Sequence, residues 1–311
     1  MIREMFQRRT LIACLFLLPG LLLFLFPGCD SGAWDAKQLV SNMQKISLDE
    51  SPSSIRIKSG NASVNLRVDR SAVTVSIEAE YWMEHDSIAE ATDLLRASTL
   101  TPDMRDGRLY LEPLLQEGVS VHLEIILPDI QGVFIEVENG SVEVSGASGE
   151  TDVVIANGSV KVLGQEGTVT ARLQNGSITV VDATDALELH TENGTITIEH
   201  ATSDIRARTA NGSITVDVQA DMSPSLQVFA TNGSIECQVG PAFTGEIDLV
   251  CDNGSVQVTD QPGIVTAEVV DDDGNRHLVI GGGYNKSTLR SGNGSVQFTI
   301  TSGPPPGDPD G

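Results

Sequence analysis

A single triplet, Asn-Gly followed by Ser or Thr, recurs along this chain at a nearly constant interval. Five copies are spaced 18 residues apart and begin at Asn139, Asn157, Asn175, Asn193 and Asn211. Three more begin at Asn232, Asn253 and Asn293, after intervals of 21, 21 and 40 residues. A fixed period of about 20 residues is typical of stacked repeats, so it limits the fold more than any other feature of the sequence.

Apolar residues alternate with polar ones on both sides of each triplet. In the repeat around Asn175 the apolar positions are Val169, Ala171, Leu173, Ile178 and Val180. Alternation with a period of two indicates half-buried β-strands, and the pattern predicts two strands in each repeat. The inward residues are mostly β-branched or small, which suits a narrow pleated interior.

Two all-β folds use such a pattern. Asn-Gly between alternating strands is a strong signal for a two-residue hairpin, which would make the chain an antiparallel meander. We expect instead a β-solenoid-like stack of two-strand repeats of 18–21 residues with Asn-Gly turns, because every column of the repeat matches its neighbours. Stacked asparagines would then form a side-chain ladder. In that arrangement Asn175 and Asn193 lie one strand spacing apart, whereas in a meander they lie two apart.

Residues 1–29 have the features of an export signal: a basic start, an apolar stretch and a terminal Pro-Gly-Cys. The segment Leu25–Cys29 resembles a bacterial lipoprotein signal, which implies that Cys29 becomes a lipid-modified N-terminus. Asp30 resembles the residue that retains some Gram-negative lipoproteins in the inner membrane. The alternative is an uncleaved N-terminal membrane helix.

The remaining chain divides by pattern. Residues 30–52 are expected to be a tether with a short helix. A β-repeat domain is expected over 53–300, with a divergent part at 53–132, regular repeats at 133–258 and a C-terminal part at 259–300. One short helix is expected near residues 86–98, and the Pro- and Gly-rich tail at 301–311 is expected to be disordered.

Composition limits the partners. The formal net charge is −24 and aromatic residues make up only 4% of the chain. A chain this acidic is repelled by nucleic acid and by anionic lipid surfaces. We therefore expect no nucleic-acid partner.

The Asn-Gly-Ser-Ile/Val units, the segment Leu123–Pro128 and the closing repeat Leu289–Ile300 resemble the bacterial putative-adhesin β-strand-repeat family. The resemblance covers residues 53–300 and implies an exported or membrane-anchored protein. It supplies no catalytic residues and no cofactor, and we expect neither an enzyme nor a metal site. The outward carboxylates are scattered over different repeats, whereas a glycosidase needs two that face one cleft.

One outward column is cationic. Three residues before the Asn, successive repeats place Arg172, His190 and Arg208. Stacked side by side, they would form a strip that binds an anionic group of a glycan or of peptidoglycan. The alternative is a chance grouping that neighbours such as Glu188 and Glu192 neutralise.

Two further groups of residues have open interpretations. Cys237 and Cys251 both fall in inward columns, where they are either a disulfide or two small core residues. Asp271–Asn275 is expected to be a hairpin turn rather than a Ca²⁺ site, because it lacks the spacing of a calcium loop.

These observations predict a non-enzymatic cell-envelope lipoprotein that serves as an adhesin or a scaffold and presents a stiff acidic surface. The alternative is a carbohydrate-binding or carbohydrate-active β-helix that uses the cationic strip. The expected location is the periplasmic side of a membrane or the cell surface. The expected partners are the membrane, through the lipid, and a glycan, peptidoglycan, a surface protein or a second copy of the chain.

Overall fold

The structure is a computed structural model that describes residues 37–260 and 264–301. The N-terminal part contains the helix α1 (Ile88–Ala97) and the strands β1 (Gln38–Leu48), β2 (Ser54–Val68), β3 (Val75–His85), β4 (Asp103–Arg105), β5 (Arg108–Leu111) and β6 (Ser120–Leu127). The regular repeats form β7 (Gly132–Ser145), β8 (Glu150–Leu163), β9 (Val169–Val181), β10 (Leu187–Asn193), β11 (Ile196–Ala201), β12 (Ile205–Asn211), β13 (Ile214–Val218), β14 (Leu226–Asn232), β15 (Ile235–Val239) and β16 (Gly245–Thr259). The last strands are β17 (Val265–Val270), β18 (Arg276–Ile280) and β19 (Lys286–Ile300).

The alternating sequence produces alternating burial. In β9, Val169, Ala171 and Leu173 are buried before the Asn-Gly, and Ile178 and Val180 are buried after it, each at most 2% exposed. The residues between them face outward. Because neighbouring strands repeat the same pattern, the inward residues merge into one continuous apolar core.

Neighbouring repeats pair in parallel and in register. Asn157 lies opposite Asn139 on one side and Asn175 on the other, and Asn193 lies opposite Asn175. Successive asparagines are therefore one strand spacing apart, about 4.8 Å. The antiparallel meander is wrong for these repeats.

The β-solenoid-like stack of two-strand repeats is also wrong, because the strands close into a ring. β9 pairs with both β10 and β11, and β19 pairs with both β14 and β15. Between them run the rows β10–β12–β14 and β11–β13–β15. The result is a closed parallel β-barrel of eight strands, with further strands outside β9 and β19.

The Asn-Gly pairs are not hairpin turns. β7, β8 and β9 each continue without a break through their Asn-Gly pair. A two-residue hairpin of the expected type needs positive φ at both positions, but among the described residues the non-glycine residues with positive φ are Asp106, Asp182 and His200. Gly158 instead has φ of 150°, so the strand is deflected without reversing.

The N-terminal end departs from the repeat pattern. β2 pairs in parallel with β7, and its outer side pairs with β5 and β6. β3 and then β1 extend that edge in antiparallel fashion. Residues 38–48 are thus a sheet strand and not part of a helical tether, because β3 supplies a full set of backbone partners. α1 packs on β1 and β3 through the buried Ala91 and Leu95, and the hydroxyl of Ser87 accepts a hydrogen bond from the backbone N–H of Glu90 at 3.4 Å.

The C-terminal strands are not stacked in chain order. β19 lies between β14/β15 and β16, pairing with all three in parallel. β18 pairs in antiparallel fashion with the first half of β16, and β17 pairs with β18. The chain therefore leaves the barrel after β15 and forms β16 and the β17–β18 hairpin outside it. It then returns, and β19 becomes the barrel strand between β14/β15 and β16.

Candidate functional site

The asparagines of the triplets form one hydrogen-bonded ladder along the outside of the strands. Each side-chain amide donates to the side-chain carbonyl of the next asparagine, at distances of 2.8–3.1 Å. The ladder runs through Asn253, Asn293, Asn232, Asn211, Asn193, Asn175, Asn157, Asn139 and Asn61. All the amides donate in the same direction, an arrangement in which neighbouring hydrogen bonds polarise one another.

Arg172, His190 and Arg208 are brought together, as the sequence predicts for stacked columns. His190 is the register partner of Arg172 on one side and of Arg208 on the other. The strip thus lies on the outer face of β9, β10 and β12.

The charges of the strip are largely engaged by its neighbours. The guanidinium of Arg172 lies 3.5 Å from a carboxylate oxygen of Asp152 and 3.7 Å from one of Glu188. That of Arg208 stacks over the ring of Phe229 at 5.3 Å. Glu188 therefore neutralises part of the strip. The aromatic partner was missed, although Phe229 stands three residues before Asn232 and so continues the column of the strip.

A groove lies beside the strip. Its volume is about 430 Å³ and its lining includes the outward side chains of Thr170, Glu188, Arg206 and Gln227. These four residues are register partners on β9, β10, β12 and β14. They present a hydroxyl, a carboxylate, a guanidinium and an amide at intervals of one strand, about 4.8 Å. This row could have been predicted from the sequence, because its residues form the outward column two positions before the strip.

The two inward cysteines are both buried free thiols and lie in different columns. Cys237 pairs with Phe298 of β19, and Cys251 lies on the far side of β19 opposite Ser291. The strands that carry the two cysteines, β15 and β16, are two strand spacings apart, about 9.6 Å. A disulfide needs Cβ atoms about 4 Å apart. The disulfide interpretation is therefore wrong for this structure. Burial raises the pKa of the Cys237 thiol, which keeps it protonated.

Asp271–Asn275 forms the turn between β17 and β18. The carboxylate of Asp271 accepts hydrogen bonds from the backbone N–H groups of Asp273 and Asn275, at 3.0 and 2.9 Å, and from the Asn275 side chain at 2.9 Å. Within the described residues, no group of three or more His, Cys, Asp or Glu side chains is placed to hold a metal ion.

Cys29 and the tail at 301–311 fall outside the described residues, apart from Thr301. The described helix is too short and too polar to cross a membrane.

No family model matches the chain, and no curated protein matches it. Three solved bacterial structures share similarity with most of its length. A putative adhesin from Parabacteroides distasonis is 14% identical, with a TM-score of 0.39, covering 84% of this chain and 97% of that one. One from Bacteroides fragilis is 14% identical, with a TM-score of 0.31 and coverages of 86% and 99%.

The third is a putative cell adhesion protein from Clostridium sporogenes, 8% identical, with a TM-score of 0.25 and coverages of 85% and 100%. At these identities and TM-scores the likeness assigns neither a family nor a function to this chain.

Proposed function

We propose that the chain is a non-enzymatic protein of the bacterial cell envelope, exported and attached to a membrane by a lipid on Cys29, where it acts as an adhesin or an envelope scaffold. The main support is the ladder of nine asparagines, which fixes the outer surface of nine parallel strands in one register. An adhesive or scaffolding surface needs area and rigidity, whereas catalysis needs a few groups focused on one point.

The surface charge supports the same role. The chain has a formal net charge of −24, and many of its few basic side chains are paired with carboxylates, such as Lys161 with Glu143 at 3.7 Å and Arg290 with Asp252 at 2.9 Å. A surface of this kind stays soluble and does not attract nucleic acid or anionic lipid, so contact is confined to complementary partners.

Protease shaving of intact cells that carry the full-length chain tests this proposal. Loss of the β-domain from intact cells supports an adhesin, and protection until the envelope is opened supports a scaffold beneath the surface. Incorporation of a labelled fatty acid is the test for attachment, with a Cys29→Ser variant as the control. If the unaltered chain incorporates no more label than Cys29→Ser, the lipid anchor is wrong.

The groove beside the strip favours a second candidate, a carbohydrate-binding protein. Its row of Thr170, Glu188, Arg206 and Gln227 supplies donors and acceptors at a regular spacing that suits a chain of sugar hydroxyls. Because its lining has two carboxylates, Glu188 and Asp204, and one guanidinium, Arg206, the groove suits a neutral glycan better than a strongly anionic one.

A glycan array separates the two candidates. Carbohydrate binding predicts selective ligands that the double variant Arg206→Ala with Gln227→Ala loses, and that Gln297→Ala, a neutral change outside the groove, retains. Arg172→Glu with Arg208→Glu tests the strip in the same way, with thermal stability as the check on folding. An array without a selective ligand removes this candidate and leaves the adhesin or scaffold.

A further inference from the structure

The second half of β16, residues Asn253–Thr259, is an edge of the parallel sheet. Its inner side pairs with β19 along its whole length. On its outer side no strand of the described residues is paired, because β18 covers only the first half of β16, from Gly245 opposite Ile280 to Leu249 opposite Arg276. We call the outer side of Asn253–Thr259 the open edge.

The open edge has unused hydrogen-bonding groups. In the interior repeats, the amide three residues after the Asn donates to the next strand: Ile178 to Thr195 at 2.9 Å, and Ile196 to Ser213 at 3.1 Å. Val256 occupies that position in β16, so its N–H and C=O point away from β19, and those of Val258 point the same way. A buried strand of this kind would have every such group paired.

The apolar columns of the core are also incomplete there. The residues equivalent to Val256 and Val258 in β19 are Val296 and Phe298, and both are fully buried. Val256 and Val258 themselves are only half-buried. One more strand laid on the open edge would cover them.

Charge distinguishes the open edge from the other edges. It contains no charged residue in a chain whose net charge is −24. The other edge strands carry charges in the usual protective manner: Lys45 on β1 pairs with Glu78, and Glu268 on β17 pairs with Arg276 at 2.7 Å.

The open edge is complementary to itself. If two copies meet in antiparallel fashion about a two-fold axis through Gln257, Val256 of each copy lies opposite Val258 of the other. Both valines face the core side of the sheet, and both direct their N–H and C=O across the axis, as a hydrogen-bonded antiparallel pair requires. Ser255 then lies opposite Thr259, and Gln257 opposite Gln257 of the second copy, so no like charges meet.

We propose that the open edge is a self-association site, at which two copies of the chain join their sheets through Asn253–Thr259 in this antiparallel register. The proposal does not depend on the adhesive role, since an isologous edge contact closes a dimer whatever the outer faces bind. It makes the dimer a single sheet that passes from one copy into the other.

Cross-linking at the two-fold axis tests the register. Residues directly opposite in a non-hydrogen-bonded antiparallel pair have Cα atoms about 4.5 Å apart, within the range of a disulfide. Gln257→Cys in the full-length chain should therefore give a covalent dimer on mild oxidation. Gln297→Cys is the matched control: Gln297 is the register partner of Gln257 and is also exposed, but it lies one strand inside the sheet. The unaltered chain, with its four cysteines, sets the background.

Charge reversal tests the contact independently. Gln257→Glu places two carboxylates face to face across the axis and should weaken the dimer at least about tenfold in sedimentation equilibrium, while Gln297→Glu adds the same charge and should not. Equal cross-linking of the two cysteine variants, equal weakening by the two glutamates, or a monomeric unaltered chain at about 100 µM overturns the proposal. A monomer would mean that the chain's own residues, or a different partner, cover the edge.

Discussion

The hydroxyl of Thr191 lies 3.3 Å from the carbonyl oxygen of Gly176 and donates a hydrogen bond to it across the strand interface. Thr209 does the same to Gly194 at 3.1 Å, and Ser291 to Gly233 at 2.8 Å. Each donor belongs to an inward column, two residues before the asparagine, where the first repeats carry apolar residues. At these three positions a polar atom is therefore not a defect of the core, because it satisfies a carbonyl at the bend of the neighbouring strand. The hydroxyl of Ser59, in the same column of β2, is buried and has no such partner.

Cys251 occupies the same position, and its thiol lies 3.3 Å from the carbonyl oxygen of Gly294. Cys251→Ser should therefore change the free energy of unfolding by less than about 0.5 kcal/mol, since serine reproduces the donor found at Ser291. Cys251→Ala should cost about 1 kcal/mol, because it removes both the donor and some packing. Urea unfolding measures both, and a serine variant less stable than the alanine variant contradicts the assignment.

The glycine of the triplet has no room for a side chain. A Cβ added to Gly176 would lie 1.5 Å from the carbonyl oxygen of Gly158, and its φ is 137°. Gly176→Ala should therefore cost at least about 3 kcal/mol and lower the yield of folded protein. Gly282→Ala is the control, because nothing lies within 4 Å of its added Cβ. Thermal unfolding of the two variants side by side should show a large loss only for Gly176→Ala.

The asparagine ladder predicts a position-dependent cost. The Asn175 side chain donates to Asn157 at 2.8 Å and accepts from Asn193 at 3.0 Å. Asn175→Ala breaks both hydrogen bonds and should cost about 1–2 kcal/mol. Asn61 only accepts within the ladder, from Asn139, so Asn61→Ala should cost about half as much. Equal losses in urea unfolding would show that the ladder contributes nothing beyond each residue's local role.

The β17–β18 turn should respond to acid. The side-chain hydrogen bond from Asn275, together with backbone N–H donors, holds the pKa of Asp271 below its ordinary value of 3.8. A depressed pKa means that this contribution to stability is present above pH 3.8 and is lost as the pH falls through the folded-state pKa. The protection factors of the β17 and β18 amides, which are exchange rates corrected for the intrinsic effect of pH, should therefore fall in that acidic range.

Asp271→Asn should give fast exchange in this hairpin already at neutral pH, because the charged acceptor is gone. Asp272→Asn is the matched control, since Asp272 is the next residue of the same turn. If Asp272→Asn accelerates exchange as much as Asp271→Asn, the carboxylate of Asp271 does not hold the turn.

Thiol chemistry checks the cysteine assignment. Cys237 is completely buried and Cys251 is 6% exposed, so both should resist labelling by a maleimide in the folded protein and react after unfolding. Cys237 should be the slower of the two, since burial also raises its pKa and suppresses the reactive thiolate. A mass consistent with a bond between Cys237 and Cys251 after non-reducing digestion would contradict the structure.

Much of the local structure could be predicted from the sequence. Alternation around Asn175 identified the buried columns, and the constant spacing of 18 residues placed Arg172, His190 and Arg208 side by side. Such predictions succeed because each repeat lies on a copy of itself, so one repeat's environment is determined by its neighbours.

The closure of the sheet could not be predicted in the same way. The interval of 40 residues before Asn293 hides the fact that Asn293 lies between Asn232 and Asn253. A shared triplet fits equally well beside either neighbour, and only the complete set of strand partners decides between them. The prediction that each Asn-Gly pair forms a turn was wrong, because glycine permits both a reversing turn and an extended strand with positive φ.

The insertion of β19 has a consequence for how the chain reaches its folded state. A repeat protein stacked in chain order gains structure one unit at a time and can tolerate the loss of a terminal unit. Here the strand that closes the barrel, β19, follows a hairpin that projects outside it. Closing the barrel therefore joins segments far apart in sequence, and the entropy cost of closing that loop comes before the stabilising contacts form. We therefore expect this half of the domain to fold late and all-or-none. A chain cut after β16 would expose the whole flank of β14 and β15 rather than simply ending one unit earlier.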